Sequence, residues 1–192
     1  MIKDELRKIY LARQRNLAFD EHLEKSRRVA RSFFQNFDLK DVRFLHSFLP
    51  IEKNREIETW QIIQKIWQSF PLVKTLAARV DFEKTAIENF IITSDTKFFF
   101  NKWQILEPEG VETVEAEKID VILVPLLAFD EKGFRVGYGK GFYDRFLGLC
   151  RPDALKIGLS YFPPIEKIAD LNEFDVKLDF CVTPDAVFSF KE

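Results

Sequence analysis

Residues 120–129, DVILVPLLAF, form the most continuously apolar run in the chain, and they limit its possible folds more than any other segment. Apolar residues without polar alternation suit a strand buried on both faces, the position of a central strand in a parallel sheet. Such a sheet needs helices on its faces. Residues 2–17 put Ile2, Leu6, Ile9 and Leu17 near one helical face. Asp20 is placed to cap a second helix running to about Phe37, with Leu23, Ala30, Phe33, Phe34 and Phe37 turned inward. VRFLHSFL (42–49) reads as a strand, and EIETWQIIQKIWQSF (56–70) as an amphipathic helix burying Ile63, Ile66, Trp67 and Phe70. Further strands are expected at 72–80, 86–93 and 155–162, a helix at about 141–149, and short strands near 178–183 and 186–190. This alternation predicts an α/β fold: a three-layer α/β/α sandwich around a mostly parallel sheet, in a single domain over 1–192.

Composition removes several classes of function. With 46% hydrophobic residues in 192, the chain can fill one core. Lys and Arg total 29 against 31 Asp and Glu, a formal charge of −2, so there is no basic excess of the kind that holds nucleic acid. No apolar run approaches the ~20 residues that span a bilayer, and MIKDELRKIY is charged and amphipathic, unlike a signal peptide. Cys150 and Cys181 lack metal or redox spacing, which points to reduced thiols and a cytoplasmic protein. His22 and His46 are the only histidines, which argues against a histidine metal site. A monomer is expected.

The apolar run leads straight into GFRVGYGKGFYDRFL (133–147), where four of the seven glycines fall within nine positions. Glycine tolerates positive φ and lets main chain approach another group closely. Beyond the carboxyl end of a strand, at the start of a helix, such a loop can hold an anion on its backbone N–H groups. The spacing is neither G-x-G-x-x-G nor the P-loop pattern, so it does not name the anion, and a tight turn with incidental charges remains the alternative. The neighbours favour phosphate: Arg135 offers a guanidinium fork and Lys140 a compact charge. Asp144, in the first helical turn, suits Mg²⁺, which takes one or two carboxylates together with phosphate oxygens. Lys3 and Arg7, four apart, share one face of the first helix and repel mildly unless an anion lies between them; by themselves they also read as a solvated pair.

The segment 120–147 resembles the signature of the 5-formyltetrahydrofolate cyclo-ligase (5,10-methenyltetrahydrofolate synthetase) family: a hydrophobic strand, P-x-x-A/G-F-D, then R-L-G-x-G-x-G-Y/F-Y-D, with Val136 in place of the usual Leu. The likeness continues through Lys3 and Arg7, HSFLPIEKNREIET, Glu107-Pro108, and DVKLD (Asp175 to Asp179) followed by VTPD, in the family's order. The resemblance implies ATP- and Mg²⁺-dependent conversion of 5-formyltetrahydrofolate to 5,10-methenyltetrahydrofolate. On this pattern Lys3, Arg7 and the loop Arg135, Val136, Gly137, Tyr138, Gly139, Lys140, Gly141, Phe142 and Tyr143 contact ATP. Arg135, Lys140 and Tyr143 assist catalysis, and Asp144 and Asp175 hold Mg²⁺. Leu49 and Glu56 line the folate site together with Tyr138 to Phe142, Glu56 accepting pterin N–H groups unless it only stabilises a helix N-terminus. The run KFFFNKW (97–103) offers an aromatic wall for the folate or, equally, core packing. Departing from the family, YFPPIEK (161–167) lacks a glutamine often found after the late strand. Rival readings are a sugar-phosphate isomerase-like phosphate binder and a non-catalytic folate-binding homologue.

Overall fold

The computed structural model describes residues 1–110 and 112–191. A seven-stranded sheet runs through it in the order β11-β10-β9-β6-β1-β2-β3. Its members are β1 (Phe44–Ser47), β2 (Lys74–Asp81), β3 (Ala86–Ile92), β6 (Val121–Pro125), β9 (Leu155–Leu159), β10 (Phe180–Val182) and β11 (Val187–Ser189). The five inner strands are parallel, and β3 and β11 close the two edges antiparallel. As the apolar run requires, β6 is central, pairing with β1 on one side and β9 on the other.

Alternation along the strands assigns the two faces. Leu45, Val121, Leu123, Ile157 and Leu159 pack with α1 (Lys3–Arg15), α2 (Phe19–Asn36) and α3 (Trp60–Ser69). Ile122, Val124 and Cys181 pack on the other face with Phe146 and Leu147 of α4 (Phe142–Leu149). The molecule is thus an α/β sandwich in three layers. Gly158 of β9 leaves no room for a methyl group: a Cβ there would meet side-chain carbons of Leu126 and Leu178 at 2.6 Å.

Several expectations need correction. Ile2 and Ile9 are 44% and 43% exposed, and α1 buries Leu6, Tyr10 and Gln14 instead. Ile9 precedes Tyr10 by one residue, about 100° around the helix, which carries it off the buried stripe. Asp20 does not cap α2; the cap is Ala18, and Asp20 lies in the first turn, where its charge favours the helix dipole. The helix expected from 56 begins only at Trp60, after a short 3₁₀ turn (Glu52–Asn54) and Arg55 at φ 49°.

The run 120–129 also divides. Pro125, which has no N–H to give a ladder, ends β6, and the chain leaves the sheet. Ala128–Phe129 (β7) then pair antiparallel with Arg135–Val136 (β8). The buried Asp130 carboxylate ties this ribbon together, accepting N–H bonds from Lys132 (3.1 Å), Phe134 (3.0 Å) and Ile168 (3.2 Å). Gly133 turns the ribbon at φ 89°, where a Cβ would meet the Phe190 ring at 2.5 Å. One further pair was not anticipated, β4 (Lys97–Phe100) with β5 (Leu106–Glu109), set apart from the main sheet.

Candidate functional site

The β7–β8 ribbon delivers the glycine loop to the carboxyl ends of β1 and β6. There it borders a cleft of about 830 Å³. Every residue that the family pattern assigns to the site lines this cleft: Lys3, Arg7, Leu49, Glu56, the whole stretch Arg135 to Tyr143, Asp144 and Asp175. These positions are more than 170 residues apart at the extremes, so only the tertiary fold brings them together.

The first helix is clamped at its start. The Lys3 N–H donates to Asp170 Oδ1 at 2.8 Å, and Ala169 N–H to the Met1 carbonyl at 2.9 Å. The Lys3 ammonium then reaches both oxygens of Asp175 at 2.6 Å. Arg7 donates from Nε to the Gly137 carbonyl at 3.0 Å and pairs with Asp4. The mutual repulsion expected of Lys3 and Arg7 is therefore offset by carboxylates within the chain. Gly139, at φ 87°, admits this packing: a Cβ there would sit 2.9 Å from the Arg7 guanidinium carbon. Gly141, at φ 72°, is the N-cap of α4, so the loop opens onto a helix N-terminus.

Arg135 is 7% exposed and behaves as a strut. It donates to the Val176 carbonyl at 2.6 Å and to Asp144 Oδ1 at 2.8 Å, and Asp144 also accepts the Val176 N–H at 3.3 Å. Burial pulls the Arg135 pKa below the usual guanidinium range, and the Asp144 charge opposes that shift. Asp144 and Asp175 are thereby drawn to one side of the cleft. Among the described residues no group of three or more His, Cys, Asp or Glu gathers at one point. A carboxylate pair fits Mg²⁺, which completes its shell with phosphate oxygens and water.

Across the loop lies Glu56, 6% exposed. It precedes α3 by four residues, so it is not the carboxylate of a helix N-terminus. Its Oε2 accepts the Ile51 N–H at 2.7 Å, and Tyr138 of the glycine loop lines the cleft with it. Burial raises its pKa to about 7, opposed by the neighbouring Tyr138 hydroxyl and the Ile51 N–H. Gln14 of α1 adds an amide between the Asn54 carbonyl (2.8 Å) and the Tyr138 hydroxyl (3.4 Å). The facing wall is apolar: Phe82, Ile87, Ile105, Leu106 and Phe142. Phe82 stacks on Trp103 at 3.5 Å and meets Phe142 edge-on at 5.3 Å. None of residues 97–103 lines the cleft; Phe98 packs on Trp60, and Trp103 backs Phe82.

The sequence model of the 5-formyltetrahydrofolate cyclo-ligase family matches residues 1–184. The chain belongs to that family. Curated cyclo-ligases resemble it at 35% identity in Mycoplasma pneumoniae (49% of this chain, 53% of that one) and 30% in Haemophilus influenzae (83% of each). In Mus musculus the figure is 26% over 91% of this chain and 89% of that one. The match spans about half the length of the mycoplasmal and Schizosaccharomyces pombe relatives. The solved structure of Aquifex aeolicus 5,10-methenyltetrahydrofolate synthetase superposes with a TM-score of 0.84 at 27% identity, over 100% of this chain and 94% of that one. The Mycoplasma pneumoniae synthetase shares the fold, with a TM-score of 0.76 at 24% identity over 96% and 99%. In this cyclo-ligase family member the motif reading did not single out Gln14, Asn54, Phe82, or His46 and Asn89 behind Tyr143. A polar residue inside an apolar strand, as His46 is in FLHS, was the available signal.

Proposed function

We propose that the chain converts 5-formyltetrahydrofolate to 5,10-methenyltetrahydrofolate in a Mg²⁺-dependent reaction that consumes ATP and releases ADP and phosphate. One observation carries the reading: a single glycine loop touches two differently built half-sites. Its Gly137 carbonyl holds Arg7 of the cationic half, and its Tyr138 lines the cleft together with Glu56 of the other. A reaction that transfers a phosphoryl group from a triphosphate to a pterin-bearing substrate suits that arrangement.

On this reading the formyl oxygen, a poor leaving group, takes the γ-phosphoryl of ATP as ADP leaves; N10 then attacks the activated carbon and gives its proton to solvent, and the C–O bond breaks as phosphate departs. The chain supplies no nucleophile of its own. Lys3, Arg7 and Lys140 with the loop N–H groups hold the triphosphate and neutralise its charge, while Arg135 fixes the carboxylates beside them. Asp144 and Asp175 would hold Mg²⁺, which supplies further charge neutralisation at the phosphates. Glu56 orients the folate through the pterin N–H groups, and the apolar wall keeps water from the rings. The test is absorbance of the methenyl product on mixing protein, Mg-ATP and 5-formyltetrahydrofolate. Product is expected only with all three; equal turnover without nucleotide or in EDTA sinks the reading. Stabilisation in a thermal shift by sugar phosphates but not by Mg-ATP would instead select an isomerase-like phosphate binder.

A further inference from the structure

His46 lies in the middle of β1, fully buried on the α4 face of the sheet. Its ring packs on Phe146 at 4.8 Å, and its Nε2 is 3.0 Å from the Tyr143 hydroxyl. Its Nδ1 has no regular hydrogen-bond partner, and neither does the buried Oδ1 of Asn89. The two-residue repeat of β3 carries Asn89, between Ile87 and Ile91, on this same face. The Asn89 side chain is also the group that counters burial in setting the basicity of the ring. Burial wins, holding the His46 pKa at about 4, so the imidazole is neutral and has one proton to place.

The placement follows from the partners. The Asn89 amide nitrogen points to the Val114 carbonyl, 3.5 Å away, which leaves Oδ1 as an acceptor in need of a donor. A proton on His46 Nδ1 serves it and makes Nε2 an acceptor. A proton on Nε2 instead sets two acceptors, Nδ1 and Oδ1, against each other in the core, where unpaired polar atoms are most costly. A tyrosine phenol, with an ordinary pKa of about 10, keeps its own proton near neutral pH.

We propose that Asn89 and His46 hold the Tyr143 hydroxyl with its proton turned into the core, so that Tyr143 presents only an acceptor to the cleft. His46 is thus a positioning residue, and Tyr143 takes a donor, of the N–H type, from the bound substrate. The role of Tyr143 rests on the function proposed above; the proton placement does not.

His22 provides an internal reference. Its Nε2 lies 2.8 Å from the Glu56 carbonyl, which can only accept, so its proton is on Nε2. Long-range ¹H–¹⁵N correlation on the ¹⁵N-labelled protein near pH 7 is expected to show His46 with its proton on Nδ1 and none on Nε2, against His22 with a proton on Nε2, and His46→Gln assigns the signals. An Nε2-protonated His46 overturns the proposal, whether or not the protein turns over folate. In kinetics, Tyr143→Phe is expected to lower kcat at least tenfold, His46→Phe similarly, and the double variant no further. Substantial rescue is expected from His46→Gln, which retains an acceptor. Losses that multiply in the double variant overturn the coupling; should His46→Phe not fold, the tautomer measurement decides alone. Absence of turnover in the wild type, with the expected tautomers, counts against the proposed reaction and not against the proton placement.

Discussion

Lys3, Arg7 and Arg135 meet the cleft already bound to carboxylates, whereas Phe82, Ile105 and Leu106 meet it as side chains of two hairpins backed by ring contacts. Two pairs of the charged wall are an all-or-none construction: removing one partner of Lys3–Asp175 or Arg135–Asp144 strands its opposite in a poorly solvated place, whereas Asp4 beside Arg7 is exposed. The apolar wall is graded, because each ring contributes area and its neighbours can shift to fill a gap. Damage to the first wall should therefore be large and affect chemistry, and damage to the second small and confined to folate binding.

The sharpest break is Asp144→Asn. We expect kcat to fall about 10²-fold or more, roughly 3 kcal/mol of transition-state stabilisation. Because Asp144 also anchors Arg135 and the Val176 N–H, stability should fall as well, by roughly 1–3 kcal/mol. Steady-state kinetics with a thermal melt check both; near-normal kcat in a destabilised variant would reassign Asp144 to structure alone.

Glu56 joins the two walls, and its variant is intermediate. Glu56→Gln should raise the folate KM at least tenfold, about 1.4 kcal/mol, and leave that for ATP nearly unchanged. With the carboxyl pKa raised to about 7, the wild-type folate KM should rise as pH falls below that value, and the variant should lack this dependence. Stability carries the matching sign. The folded chain binds the Glu56 proton more tightly than the unfolded chain, whose value is near 4.5, so the contribution is full below 4.5 and disappears as pH rises through about 7. Relative to Glu56→Gln, wild type should thus lose up to roughly 3 kcal/mol across that window. Denaturant titrations of both proteins at pH 5 and pH 8 measure the difference, and parallel curves would contradict the raised pKa.

The smallest effect is reserved for Phe82→Ala. We expect the folate KM to rise about fivefold, roughly 1 kcal/mol, with kcat and the ATP KM within twofold. A collapse of kcat would show that the apolar wall also governs alignment of the reacting atoms and would erase the contrast between the walls.

The charged wall was far more legible in the sequence than the apolar one. Glycines at 139 and 141 signal left-handed backbone by themselves, and Lys3 and Arg7 are joined to them by the family's motif order. The central strand was legible because nothing polar interrupts VILV. Phe82 was not, since in a chain with 21 phenylalanines a ring at a hairpin tip looks like any other, and only the stacking of β2–β3 against β4–β5 gives it a task. Run 97–103 stayed open between wall and packing for the same reason: its aromatic content was visible, but only the docking of that hairpin puts Phe98 on Trp60 and Trp103 behind Phe82. The buried face of α1 and the cap of α2 were misread because Ile2, Ile9 and Asp20 each satisfy a local rule that the folded chain does not use.

The ion pairs within the charged wall also bear on how a ligand arrives. With Lys3, Arg7 and Arg135 each engaged by a carboxylate, their fields largely cancel at a distance, while Lys140 and Arg145 line the mouth without such a partner among the described residues. An approaching polyanion is therefore steered by two exposed cations, and the remaining positive charge is released only as its phosphates displace the carboxylates at contact. Long-range attraction is weak and short-range capture strong, so the rate of encounter should depend little on ionic strength while the lifetime of the complex depends on how well the incoming anion replaces Asp175 at Lys3.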